Sequence, residues 1–273
     1  MRSKALTASL VILLQSLPSI QSAHAEAIQP GYYSLDSAVL GSRSNELNEM
    51  VALAEEHRDV GRFDDALREQ WRKYAFIIPL ERAQEAEDIA RSILEKHLDQ
   101  YKKEGITIDS VVQRDPHFDN PGRFQVYEAS AQSPWYATVL VRKGGNYRGN
   151  GYLPESVAVL HEYQHAQEVV PGRPKFSSSP SGNKGMELMT SLTTLITLDH
   201  IYKQLHQKND REEVDHGASL QWGKFEVPIG MIANFYRDLQ KEYGSLAKAI
   251  ASPASIEFIT AGSMAQLKPS TNH

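Results

Sequence analysis

One stretch decides the fold expected of this chain: Pro154-Glu-Ser-Val-Ala-Val-Leu-His-Glu-Tyr-Gln-His-Ala-Gln-Glu168. Side chains four residues apart on a helix lie nearly above one another, about 6 Å apart. His161 and His165 can therefore present both imidazoles to one ion. Glu162 projects to the adjacent side, where a carboxylate can take a proton from a metal-bound water without itself being a ligand. The spacing predicts a metal-binding helix with Glu162 as its general base.

The residues before the motif predict where this helix begins. Pro154 suits the first position of a helix, and Glu155 suits the first turn, where its charge interacts favourably with the helix dipole. Three glycines between Lys143 and Asn150 predict a turn just upstream. The motif therefore lies on a helix that follows a turn.

The His-Glu-x-x-His segment resembles the zincin metallopeptidases, whose shared signature lies on an active-site helix beside a small sheet. The resemblance covers this one motif and its surroundings. It implies a Zn²⁺ cofactor held by His161 and His165. It also implies that a zinc-bound water, deprotonated with help from Glu162, attacks a peptide carbonyl that the metal polarises.

A catalytic zinc usually has three protein ligands and one open position, so a third ligand is expected. The metzincin extension is absent, because Glu168 and Pro171 stand where that family has Gly and His. Glu168 also lies about 10 Å along the helix axis from His161, which indicates a surface or supporting role. The third ligand must come from elsewhere in the chain.

Glu187 is the expected third ligand. A Pro, Gly and Ser-rich stretch from Pro171 to Gly185 predicts a loop, interpreted as a linker, and a long helical pattern begins at about Met186. This layout resembles the glutamate zincins, in which the ligand Glu lies on a second helix some twenty residues downstream. Interaction of Glu187 with the helix dipole is the alternative interpretation, and Asp199 and His200 are rival ligands.

Asp199 and His200 are also the candidates for the group that orients a metal-bound His, and the sequence does not choose between them. Several glutamate zincins carry an acid four residues after the ligand Glu, whereas this chain has Ser191. A peptidase also needs a donor for the oxyanion, and Tyr163, His216 and Tyr236 are available. The sequence does not choose among them, and each also has a structural interpretation.

The first 25 residues predict export. A basic start at Arg2 and Lys4 precedes an apolar run, and small residues end at Ala25, which is the order of a cleaved secretory signal peptide. Cleavage would leave 248 of the 273 residues and change the formal net charge from −5 to −7 by removing two cations. An acidic chain is a poor candidate for binding nucleic acid. No membrane span is expected after cleavage.

Cysteine is absent, so disulfides are excluded and any metal must be bound by His, Asp or Glu. An exported protein without disulfides suits the bacterial periplasm or secretion from bacteria.

Periodicity predicts an α+β fold that is predominantly helical, with a small sheet beside the motif helix. Residues 26–105 are predicted as an N-terminal helical layer and residues 106–273 as the zincin-like catalytic region, together one compact domain. The predicted helices span 45–57, 64–76 and 80–103, and the predicted strands span 106–112, 124–129 and 136–142.

The function predicted from these features is an exported zinc metallopeptidase that acts on a protein or peptide substrate. The strand Tyr136–Arg142 is expected to form the sheet edge with which an extended substrate pairs. Two alternatives remain open. One is a zinc amidase acting on cell-wall or other non-protein amides, and the other is a non-catalytic, metal-stabilised binding module of the cell envelope.

Overall fold

The computed structural model describes residues 59–103, 110–117, 122–127, 136–166, 180–207 and 218–266. Several predicted features lie outside these ranges: the signal peptide, the helix 45–57, Glu168 and His216. Residues 106–109 and 128–129 of the predicted strands and residues 171–179 of the predicted loop also lie outside them.

Most of the described chain is helical, which confirms the predicted α+β class with helix predominating. The predicted helix 64–76 is observed five residues earlier at its start. A 3₁₀ turn, Leu80–Arg82, leads into the second helix, so the predicted span 80–103 is confirmed. The helices are α1 (Asp59–Tyr74), α2 (Ala83–Lys103), α3 (Glu155–Ala166), α4 (Pro180–Gln207), α5 (Ile229–Tyr243), α6 (Leu246–Ile250) and α7 (Pro253–Gln266).

Strands β2 (Ser110–Asp115), β3 (Gly122–Tyr127) and β4 (Tyr136–Arg142) form a sheet in the order β2-β4-β3. Strand β4 has the predicted bounds, and it pairs with β2 in parallel and with β3 antiparallel. The prediction that β4 is an edge strand is therefore wrong. The pattern of apolar residues that predicted a strand is equally typical of a strand covered by neighbours on both sides.

The glycine-rich turn before the motif helix is present and carries two strands that the sequence did not predict. Gly144, Gly145 and Gly149 all have positive φ, which confirms the turn. The strand β5 (Asn146–Arg148) lies between Gly145 and Gly149 and pairs antiparallel with β6 (Gly151–Leu153), and the short β1 (Ile78–Pro79) pairs with β6. Strands of two or three residues are too short for an alternating pattern to reveal them.

The motif helix α3 follows Pro154 as predicted, whereas α4 begins earlier than expected. The predicted loop Pro171–Gly185 is wrong from residue 180 onward, because α4 starts at Pro180. Proline is accepted in the first turn of a helix, where its missing N–H would have no partner in any case. Ser and Gly follow Pro180, and both are weak helix formers. The sequence pattern therefore did not indicate a helix at these residues.

Helix α4 forms the centre of the core. Leu188, Leu192, Leu195 and Leu198 are all fully buried, at the spacing of one helical face. One cluster of buried residues joins α1, α4, α5 and α7 with the hairpin of β7 (Ser219–Trp222) and β8 (Phe225–Pro228). Within it the Phe63 ring packs edge-on against Trp222 at 5.3 Å between centroids. The predicted N-terminal layer thus shares its core with the C-terminal helices.

A smaller buried cluster joins the motif helix to the sheet. Val139 and Val141 of β4 pack with apolar residues of α3, including Leu160 and Tyr163. The motif helix therefore contacts the three-stranded sheet through β3 and β4, and it also packs against α2 and α4. Of the helices within the described ranges, none is both long enough and apolar enough to cross a membrane.

Gly262 tests the packing of the aromatic core. A Cβ atom at this position would lie 2.0 Å from Cδ1 of the Trp222 ring. We expect Gly262→Ala to lower the free energy of unfolding by about 1–3 kcal/mol, because the indole must move out of a close-packed site. Urea denaturation measures this loss. Ala261→Ser, at the partly exposed neighbouring position, serves as control and should change stability by less than about 0.5 kcal/mol. A stable Gly262→Ala protein would contradict the packing described.

Candidate metal centre

The start of α3 is held by a carboxylate from another helix. Glu87 of α2 accepts hydrogen bonds from the backbone N–H of Ser156 (3.1 Å), from the Ser156 hydroxyl (2.5 Å) and from the Tyr152 hydroxyl (3.0 Å). A negative group at this end of a helix satisfies N–H groups that have no partner within the helix. Glu155 in turn accepts from the backbone N–H of Gly144 at 2.7 Å, which ties the glycine turn to the same helix end.

The structure brings the two motif imidazoles together. The ring centroids of His161 and His165 lie 5.1 Å apart at an interplanar angle of 75°. His161 is partly exposed, and its Nδ1 lies 2.9 Å from the Thr194 hydroxyl oxygen on α4. The Trp71 ring of α1 lies 5.8 Å from the His161 ring between centroids.

Burial lowers the pKa of His161 from 6.5 to about 3, and the neighbouring charges of His165, Arg68 and Arg72 act in the same direction. The imidazole is therefore neutral at pH 7. A neutral imidazole has one nitrogen with a lone pair, which is the form that binds a metal ion.

Glu162 points toward the edge of the sheet. Its side chain is 7% exposed, and a Cβ atom on Gly122 of β3 would lie 2.6 Å from the Glu162 Oε1 atom. The missing side chain of Gly122 therefore leaves the room that the carboxylate fills. The predicted general base lies between the motif helix and the strand β3.

Glu187 is paired with an arginine. The Arg68 Nη2 atom of α1 lies 3.0 Å from Glu187 Oε2 and 2.7 Å from Asp64 Oδ2. The Ser191 hydroxyl, one turn after Glu187, donates to the second oxygen of Asp64 at 3.2 Å. The glutamate zincins carry an acid at the position of Ser191. In this chain the Ser191 hydroxyl instead donates a hydrogen bond to an acid, Asp64, that comes from α1.

Asp64 is fully buried, and its burial raises its pKa to about 6, although the charge of Arg68 opposes the shift. Asp64 is therefore still ionised at pH 7, and the pair with Arg68 is a charged one.

The two imidazoles fit a metal ion, but a third ligand does not stand beside them. Within the ranges that the structure describes, no three side chains of His, Cys, Asp or Glu are gathered closely enough to share one ion. Glu187 contacts Arg68 instead, and its side chain is 34% exposed. The arrangement brings two imidazoles together, while the carboxylate of Glu187 is engaged by Arg68.

The two rival ligands on α4 are placed differently. Asp199 is buried, and its Oδ2 lies 2.6 Å from Arg237 and 2.9 Å from Lys203. Those two cations neutralise it where α4 packs against α5. His200 is exposed and lies 2.7 Å from the Gln204 side chain.

The predicted oxyanion donors include one that lies in the core. Tyr236 is fully buried, and its hydroxyl lies 2.9 Å from that of Ser255 on α7. Burial raises the pKa of Tyr236, and its position gives it a structural role away from any solvent-exposed surface. Tyr163 packs in the smaller cluster against β4.

Sequence reasoning missed the contribution of α1. Asp64, Arg68 and Trp71 recur at helical spacing and reach α3 and α4, but the pattern of α1 was interpreted only through its apolar residues. The sequence signal that could have revealed this role is the pair Asp64 and Arg68. They are an acid and a base four residues apart, on the side of the helix that also carries Phe63 and Leu67. Trp71 Nε1 and Arg68 Nε are buried and have no hydrogen-bond partner within the described residues.

Comparison with protein-family models, with curated proteins and with solved structures finds no significant match. The geometry of the chain itself therefore carries the functional argument.

Glu87 tests how the motif helix is held. Replacing it with Ala leaves the buried Ser156 N–H and Tyr152 hydroxyl without their acceptor. We expect Glu87→Ala to lower the free energy of unfolding by about 1–3 kcal/mol. Chemical denaturation provides the measurement. Asp88→Ala is the matched control, because the neighbouring Asp88 makes only exposed contacts with Gln84 and Arg91. Equal stability of the two variants would refute the role of Glu87.

Proposed function

We propose that this chain is an exported, zinc-dependent hydrolase of the zincin type, and that its substrates are proteins or peptides. His161 and His165 would hold the ion, and Glu162 is the general base. Glu187 would complete the ligand set, which requires its carboxylate to leave the ion pair with Arg68. The approach of the two imidazole rings to 5.1 Å, on a helix that begins after Pro154 as the sequence predicts, carries the proposal.

Zinc bound there would polarise a substrate carbonyl and make a water molecule acidic enough to lose its proton near neutral pH. Glu162 takes that proton. Its carboxylate lies against Gly122 of β3, whereas the Thr194 hydroxyl contacts His161 from α4. The motif spacing predicts a base on the side of the helix adjacent to the ligands, and Glu162 is the residue at that position.

Strand β3 offers the surface on which an extended substrate would lie. Among the strands that the structure describes, β3 pairs with β4 alone, so it is an edge of this sheet. An edge strand presents backbone N–H and C=O groups to which a peptide can add as a further strand. Gly122 of β3 contacts Glu162, which places this edge beside the general base. The substrate surface proposed for Tyr136–Arg142 is therefore reassigned to Gly122–Tyr127.

A non-catalytic binding module is the second candidate, and the Arg68–Glu187 ion pair favours it. Arg68 neutralises Glu187 without any metal ion. In that case a metal ion held by the two histidines would contribute to stability alone, and Glu162 would have no chemical role.

Glu162→Gln separates the two candidates. In an enzyme, the substitution should leave one zinc ion bound per chain while peptide cleavage falls by about 10²–10⁴-fold, because only the proton acceptor is lost. Zinc content by elemental analysis and cleavage of a peptide library, each with and without chelator, give the two readings. Glu226→Gln, which changes an exposed carboxylate on β8, is the control. Cleavage by Glu162→Gln at the wild-type rate would exclude this mechanism.

Glu187→Gln tests the third ligand. We expect zinc affinity to fall by more than about 100-fold, since a lost ligand should cost more than a lost supporting contact. Calorimetric titration of the metal-free protein measures the affinity. His200→Gln, at the exposed rival position on the same helix, should bind zinc as the wild type does. If His200→Gln weakens binding and Glu187→Gln does not, the ligand assignment is wrong.

A further inference from the structure

The threonines of α4 use their hydroxyl hydrogens in the same way. Each donates to the backbone carbonyl four residues earlier, a common arrangement for Thr inside a helix. The bonds are Thr190 to Met186 (3.2 Å), Thr193 to Met189 (3.0 Å), Thr194 to Thr190 (3.0 Å) and Thr197 to Thr193 (2.9 Å). With the hydrogen engaged in this way, the hydroxyl oxygen retains only lone pairs for any further partner.

Thr194 is the member of this set that contacts the metal motif. It is 2% exposed, and its Oγ1 lies 2.9 Å from His161 Nδ1. Because the Thr194 hydrogen bonds to the Thr190 carbonyl, the contact with His161 requires a hydrogen on Nδ1. A neutral imidazole carries a single N–H, so Nε2 is left with the lone pair.

We propose that Thr194 is a positioning residue that fixes His161 in the Nδ1–H tautomer and so makes Nε2 the atom that binds the metal ion. The inference rests on the proposed function for the presence of the ion, whereas the tautomer follows from the hydrogen bonds alone. Trp71, 5.8 Å from His161 between ring centroids, limits the space in which the imidazole could turn over.

This arrangement supplies the group that the sequence left unassigned. Metal-binding histidines usually donate their second ring N–H to a carboxylate, a carbonyl or water. The residue four positions after Glu187 is Ser191, and its hydroxyl is committed to Asp64. The acceptor for His161 lies instead seven positions after Glu187, at Thr194, on the same face of α4 and nearly two turns along.

The tautomer can be measured in the metal-free protein. Nitrogen-15 NMR of histidine-labelled wild type should show His161 protonated at Nδ1. Thr194→Val has nearly the same shape but no acceptor, so the fraction protonated at Nδ1 should fall. Thr194→Ser restores the hydroxyl and should restore the wild-type tautomer.

Zinc affinity gives a second reading. Thr194→Val should bind zinc about 10–100-fold more weakly than the wild type, and Thr194→Ser should bind it nearly as well. Thr197→Val is the matched control, because it removes an equivalent buried hydroxyl that bonds to Thr193. Its zinc affinity and the His161 tautomer should be unchanged.

The outcomes distinguish this inference from the proposed function. A wild-type His161 protonated at Nε2 overturns the inference, whatever the protein does with zinc, as does a Thr194→Val variant that binds zinc as tightly as the wild type. Failure of the wild type to bind zinc overturns the proposed function and the metal-binding part of the inference. The NMR measurement uses the unaltered protein, so it decides the tautomer even if a variant does not fold.

Discussion

Polar side chains buried between helices must find hydrogen-bond partners, and this requirement sets how α1, α3 and α4 meet. The buried carboxylate of Asp64 has Arg68 and Ser191 as its hydrogen-bond partners, and the Nδ1 atom of His161 has the buried hydroxyl of Thr194. Each of these contacts joins two different elements or successive turns of one helix. Apolar packing holds the helices together, whereas these polar contacts select the relative positions in which no buried group is left without a partner.

The local sequence pattern was sufficient to predict those elements whose start or turn signals lie within a few adjacent residues. The helix α3, the strand β4 and the glycine turn were predicted because a helix-start signal, a run of β-branched residues and three closely spaced glycines each act within a few positions. The order of strands was not predictable in this way. Whether β4 lies at the centre or at the edge depends on β2 and β3, and nothing within Tyr136–Arg142 records how many neighbours that strand has.

The contacts of the candidate centre also fall into two groups, those that local spacing predicts and those that it does not. His161 and His165 are four residues apart, so their approach follows from helix geometry. The partner of Glu187 is 119 residues away at Arg68, and the partner of His161 is 33 residues away at Thr194. No spacing rule relates residues so far apart. Sequence reasoning therefore identified the side chains with chemical potential and missed the groups that orient and neutralise them.

The shared nitrogen of Arg68 has a consequence for the neighbouring helices. Nη2 contacts Asp64 and Glu187 together, but only Asp64 is fully enclosed, while Glu187 is one-third exposed. If Glu187 turned away, the guanidinium would still have an anionic partner, and the departing carboxylate would already be in contact with solvent. Neither charge would be stranded in an apolar environment by the exchange. This corner of the molecule can therefore rearrange one side chain while the packing of α1 against α4 stays as it is.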